Sequence, residues 1–242
     1  MQNEFELYRF GRQKPIFESL RQCVFNAIFF VYLRKQTQKN MKIPKSYRYY
    51  KLEDLKLIFG ITVVDVEMML NPTKNVEVSE WLKTTLQRHA LLPLKNEKAK
   101  SEFIVAPILS EVWYQNQNFK PLSGLTFSVE PSKGLTGRCD FLISNNPNVQ
   151  DLDVPIMCVF EAKNDAIEDW YGQCGAEMLA ARIFNERKGN DIKIIYGAVT
   201  NGFVWQFLKL ENQNLFIDSQ RYGTANLPQL LGAIQKIYNL YK

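Results

Sequence analysis

One histidine, His89, and four cysteines are all that this 242-residue chain offers to zinc chemistry or to a Ser-His-Asp or Cys-His catalytic set. The cysteines, Cys23, Cys139, Cys158 and Cys174, show no paired metal-ligand spacing. Three of them sit in apolar runs, so they read as reduced, buried thiols. His89 reads as a helix-end residue. There is no glycine-rich phosphate loop, internal repeat or low-complexity tract, which disfavours a nucleotide-driven machine or a solenoid. Long apolar runs are missing too. The stretch from Cys23 to Leu33 has too few residues to span a bilayer, and Arg34-Lys35 follows it instead of a small-residue cleavage site. It reads as a packed helix, with a membrane-surface anchor as the alternative. A cytoplasmic protein with no membrane partner is expected.

What is present is apolar and aromatic material, 46% and 13% of the residues, enough for one substantial core plus a small helical appendage. The formal charge of +5 is unevenly placed. Residues 1–50 hold ten Lys/Arg against three Asp/Glu, leaving the other 192 residues at −2. Tyr47, Tyr49 and Tyr50 are interleaved in this basic arm. It could lie along a nucleic-acid backbone, or simply be a solvated face. The expected organisation is a basic, mostly helical extension over 1–95 and an α/β domain over 96–242.

Residues 51–60 predict a helix closed by Gly60, followed by a second apolar run to Leu70 and a break at Asn71-Pro72. Ser79 opens another helix, and this half is expected to be helical throughout. Helical spacing of Val105, Ala106, Leu109 and Trp113 places Glu102 on a buried stripe, with Glu111 on the far face; Pro107 marks a kink or a true start. Strands follow at 125–130, 134–144 and 155–163, then a long helix over 166–187. In that helix Gln173 and Glu177 lie one turn apart, either as a solvent-facing seam or with Gln173 leaning over the strand ends. Asn201-Gly202 predicts a type I′ hairpin between strands at 192–200 and 203–210. A short strand near 215–217 and a helix over 227–241 complete the chain.

The chemistry is concentrated in Gly137-Arg138-Cys139-Asp140-Phe141 and Phe160-Glu161-Ala162-Lys163. Side chains alternate along a strand, so Glu161 and Lys163 share a face, and Asp140 can lie beside them if the two strands are neighbours. Carboxylate oxygens suit a hard cation such as Mg²⁺, and a lysine ammonium can orient a water and offset developing negative charge. Exposed Glu-x-Lys pairs are also routine sheet decoration. The apolar neighbours Phe141-Leu142-Ile143 and Val159-Phe160 argue for buried strands, where an unpaired carboxylate is costly.

Element order and motif together resemble the PD-(D/E)XK nuclease superfamily, the restriction-endonuclease-like fold. Within it the chain is similar to uncharacterised bacterial proteins related to the N-terminal nuclease segment of type I restriction subunits. The resemblance rests on Ser101-Glu102, 134–141, Glu161-Ala162-Lys163, Gln173-Cys174 and 196–202, and covers roughly 50–242. It implies a central mixed β-sheet flanked by helices, with an N-terminal helical extension. It also implies a nuclease hydrolysing DNA through a Mg²⁺-activated water, with Mn²⁺ as a substitute. Asp140, Glu161, the Ala162 carbonyl and Glu102 would hold the metal, Lys163 would be the catalytic lysine and Gln173 the helix glutamine. Four residues beyond Gln173, the RecB-like branch has a tyrosine where this chain has Glu177. RNA as substrate and a homodimer remain open, as does a non-catalytic module that keeps the fold to grip nucleic acid or protein.

Overall fold

The computed structural model describes residues 42–70, 76–117, 119–144, 156–163 and 166–241, together with helical positions 22 and 24–26; at 157–159, 161 and 162 it describes the backbone alone. Most of the apolar stretch 23–33 and the polar loop 145–153 therefore lie outside the described residues. The chain divides into a unit over Met1–Lys42 and a unit over Ile43–Lys242. Every strand among the described residues belongs to the second unit.

The centre of this unit is a seven-stranded mixed sheet in the order β1-β9-β8-β7-β6-β5-β2. The strands are β1 (Thr62–Val66), β2 (Lys120–Ser123), β5 (Phe141–Ser144), β6 (Ile156–Ala162), β7 (Ile194–Thr200), β8 (Val204–Glu211) and β9 (Asn214–Gly223). Pairs β1·β9 and β6·β7 are parallel and the rest antiparallel. A separate hairpin is formed by β3 (Thr126–Glu130) and β4 (Leu135–Arg138).

Both faces of the sheet are covered. Phe141, Ile143, Phe160 and Phe207 point into one core. It is closed by α2 (Glu80–His89), by a continuous helical stretch made of α3 (Glu97–Lys100), a π segment (Ser101–Val105) and α4 (Ala106–Asn116), and by α6 (Leu227–Asn239). Leu142, Ile195, Val199 and Leu208 point into the other, closed by a 3₁₀ turn (Tyr47–Tyr49), α1 (Leu52–Phe59) and α5 (Tyr171–Arg187). Adjacent residues such as Phe141 and Leu142 enter opposite cores, as the two-residue period of a strand dictates. This is the helix-covered mixed sheet expected. Among the described residues no helix is long and apolar enough to cross a membrane.

Several sequence expectations need correction. The chain divides at 42/43, where the sequence reading divides it at 95/96. The half before residue 95 is not helical throughout: Thr62-Val63-Val64-Asp65-Val66, dense in β-branched residues, forms β1 and pairs in parallel with β9. The tyrosines are not a solvated basic face either, since Tyr47 and Tyr50 are buried at 1% and 2% exposure while Tyr49 stays outside. The hairpin at 194–211 is present, but its turn is not type I′, because Asn201 is absent from the residues with positive φ. Instead Asn201 Oδ1 accepts from the Phe203 and Val204 amides, while Gly202 at φ 90° makes the bend.

Two glycines explain why the segment after residue 42 belongs to the core. Gly137 has φ 154°, and a Cβ there would lie 2.9 Å from the Tyr47 ring. At Gly172, in the first turn of α5, a Cβ would lie 2.4 Å from the Tyr50 carbonyl oxygen. The Tyr47 ring thus rests directly on β4, and the backbone at 50–51 on α5.

Candidate active site

The strands carrying the two predicted acids are neighbours. Phe141 pairs with Phe160 in antiparallel register, so Asp140, one residue before, comes level with Glu161, one residue after. Beyond the end of β6, the Lys163 amide donates to the Thr200 carbonyl at 2.6 Å and extends the β6·β7 ladder by one step. The placement of Glu161 and Ala162 is known from this backbone register.

A cavity of about 380 Å³ opens here. Asp140, Lys163 and Gln173, three residues expected from sequence, line it together. Asp140 is half-buried, at the bend between β4 and β5. Lys163 is 4% exposed, and its Nζ lies 3.6 Å from Glu97 Oε1 and 4.3 Å from the centre of the Trp170 ring. A buried ammonium requires such compensation, and the Glu97 carboxylate and the Trp170 ring supply part of it. Gln173 is also 4% exposed and donates from Nε2 to Oε1 of Glu177 at 3.0 Å. Glu177 is fully buried, so the pair is not a solvent-facing seam.

Glu102 is not brought to this place. It is exposed, ion-paired with Lys98 at 3.6 Å, and does not line the cavity. The expectation that it lies on the buried stripe assumed an uninterrupted α-helix from residue 101. The helix instead begins at Glu97, capped by the Asn96 side chain, and passes through the π segment. The wider π turn closes over five residues and rotates Glu102 out of phase with Val105 and Leu109. Glu97, five residues earlier, is the acid that faces Lys163. Glu111, expected to be excluded from the interior, is buried and accepts from the Ser79 amide and hydroxyl.

The π segment also accounts for Pro107 and the lone histidine. Pro107 lacks the N–H that would bond four residues back to the Phe103 carbonyl, and His89 Nδ1 lies 2.7 Å from that oxygen. Because the carbonyl only accepts, Nδ1 carries the hydrogen. His89, the last residue of α2, is structural.

Sequence reasoning missed five further lining residues: Glu97, Trp170, Ser46, and Tyr47 and Arg48 of the 3₁₀ turn. Asn96 before a charged run is a capping signal that could have moved the helix start to Glu97. No local signal links Tyr47 to a site more than ninety residues away. The Tyr47 hydroxyl is held well above its ordinary pKa by burial, then by Cys139, Glu177 and Tyr50, so it lines the cavity as a neutral group.

The polar groups lining the cavity are oxygen and nitrogen: two carboxylates, an amide, an ammonium, two guanidinium groups and the hydroxyls of Ser46 and Tyr47. Hard carboxylate oxygens fit a cation of the Mg²⁺ kind and offer nothing to a thiophilic one. Among the described residues no cluster of three or more metal-ligating side chains is found; the Glu161 side chain is not among them. The sequence matches no protein-family profile and no curated protein.

Proposed function

We propose that this cavity hydrolyses phosphodiester bonds of DNA, and that the sheet carrying it is a restriction-endonuclease-like core of the PD-(D/E)XK kind. One observation supports this above the others. Asp140, Lys163 and Gln173, from a strand bend, a strand end and a helix start, line one cavity beside the backbone position of Glu161. Surface decoration would leave such charges solvated and apart; here the lysine is buried.

Asp140 and Glu161, with the Ala162 carbonyl, would hold Mg²⁺, and Mn²⁺ would substitute. The bound cation would lower the pKa of a water and neutralise charge on the scissile phosphate. The protein's own part follows from how Lys163 is held. Its ammonium, fixed between Glu97 and Trp170, donates to the attacking water and to a phosphate oxygen without reorganising as negative charge grows. Glu97 takes the place expected of Glu102: it faces and orients the lysine. Gln173, tethered to Glu177, fixes the polar floor on which substrate and water are positioned.

The test is cleavage of supercoiled plasmid and of labelled single-stranded DNA with Mg²⁺, with Mn²⁺ and with EDTA, comparing the native protein with Lys163→Ala and Asp140→Asn. Metal-dependent cleavage that falls by about a hundredfold or more in both variants is expected. Metal-independent DNA binding with no cleavage would instead identify a non-catalytic module.

A further inference from the structure

Two arginines line the same cavity and take no part in the chemistry proposed above. Arg48 stands in the 3₁₀ turn Tyr47–Tyr49, and Arg138 ends β4 two residues before Asp140. Both are exposed. Three of the other four arginines of this unit, Arg182, Arg187 and Arg221, reach carboxylates, on Glu186, Glu130 and Glu168. Among the described residues, Arg48 and Arg138 have no acidic partner.

Their supports are rigid. Arg48 is flanked by the buried Tyr47, whose ring rests on Gly137, and it is two residues from the buried Tyr50. The guanidinium of Arg138 lies across the turn at Gly124, where an added Cβ would come within 2.6 Å of its Nη2. Gly124 in turn donates its amide to the Asp140 carbonyl at 2.8 Å, so the turn that carries the guanidinium also fixes the acid. The half-buried Ser46 adds a hydroxyl to the same wall. A guanidinium fork matches two phosphate oxygens, and two such forks with a hydroxyl form a site for an oxyanion.

We infer that Ser46, Arg48 and Arg138 form an anchoring subsite for the phosphate next to the one that is cleaved, so that the substrate is a polynucleotide strand with at least two consecutive phosphates. This rests on the reading of the Asp140–Lys163 cavity as a phosphodiesterase site. A volume of about 380 Å³ exceeds what one phosphate at the acid-lysine cluster needs and is in the range that encloses a small ligand. The attraction is local, because residues 43–242 carry 22 Lys/Arg against 22 Asp/Glu and have no general positive field.

The test compares two substrates, bis(4-nitrophenyl) phosphate, which has no flanking phosphate, and a fluorescent single-stranded oligothymidylate. It uses the full chain as wild type, Arg48→Ala, Arg138→Ala and Arg48→Lys. On the oligonucleotide each alanine variant is expected to raise KM about tenfold with kcat within about twofold, while hydrolysis of the small diester is unchanged. In EDTA, oligonucleotide binding by the alanine variants should weaken and the slope of log affinity against log salt should fall by about 0.7 per arginine removed. Arg48→Lys should restore the salt slope but only part of the affinity. Unchanged KM and binding, or parallel loss on both substrates, would overturn the inference. If the wild type hydrolyses neither substrate, the EDTA measurement still decides: an arginine-dependent salt slope keeps the anchor and discards hydrolysis, and its absence discards both.

Discussion

Three buried tyrosines hold their protons more tightly in the fold than in the unfolded chain. Tyr50, Tyr171 and Tyr222 are each pushed up to about 12 from 10.0, in every case first by burial; Asp54 and Glu130 add to it at Tyr50, Glu168 at Tyr171 and Asp218 at Tyr222. Two of the hydroxyls are tied inward, Tyr50 to the Lys133 carbonyl and Tyr171 to Gln206. The folded state holds the proton more tightly than the unfolded chain. The stabilisation is therefore complete below pH 10 and is lost as pH rises through about 12. Tyrosinate absorbance followed beside circular dichroism should show these three ionising only as the fold is lost; complete tyrosine titration near pH 10 with the fold intact would contradict this. At the same scale, Asp140 and Lys163 were legible because a charge beside apolar strand residues is unusual. Glu97 was not, because a glutamate in Lys95-Asn96-Glu97-Lys98 looks like any solvated run.

Among the elements, α5 sets the floor of the cavity, and its first turn is where the chain packs most closely. An alanine in a helix is ordinarily favoured over glycine by about 1 kcal/mol. At Gly172 the clash with the Tyr50 carbonyl and with the Lys51 Cα at 2.5 Å outweighs that gain, since both partners are backbone and cannot rotate away. Gly172→Ala is expected to lose about 3 kcal/mol in urea unfolding, whereas Gly189→Ala, where a Cβ meets nothing within 4 Å, should lose less and only through its φ of 75°. Equal losses at the two positions would show that the close approach at Gly172 relaxes and does not govern its cost. The helix expected over 166–187, found as a 3₁₀ turn (Ile167–Trp170) leading into Tyr171–Arg187, and the strands expected at 125–130, 192–200 and 203–210 were readable from local period and turn residues. The π segment was not, since its sequence Ser101-Glu102-Phe103-Ile104-Val105 fits an α-helix equally well; Pro107 was the one sign of disturbance.

For the whole molecule the boundary at 42/43 matters most. β1, α1 and the Tyr47–Tyr49 turn complete the sheet and one core, so a chain of residues 43–242 is expected to unfold in one cooperative transition within a few degrees of the full protein. A chain beginning at residue 52 should not, because it loses Tyr47 and Tyr50. Calorimetry of both tests this. Residues 1–42 hold eight Lys/Arg against three Asp/Glu, the entire net charge of +5, so the shorter chain should also bind nucleic acid with a weaker salt dependence outside the cavity.

The sequence by itself determined which segments are strands and helices over most of 101–239, and that a carboxylate and a lysine stand at the end of one apolar run and an aspartate in another. These are local properties, written in periods of two and of about four residues and in the turn chemistry of Gly and Asn. Only the tertiary structure decided, through strand pairing, that the two apolar runs are neighbours and that β1 pairs with β9, that Glu97 and not Glu102 faces Lys163, and that Tyr47 and Arg48 close the cavity. Strand partnership, helix phase across a π turn and the seating of Tyr47 on Gly137 depend on contacts between residues distant in sequence. No periodicity records them, and they form only when both cores pack at once.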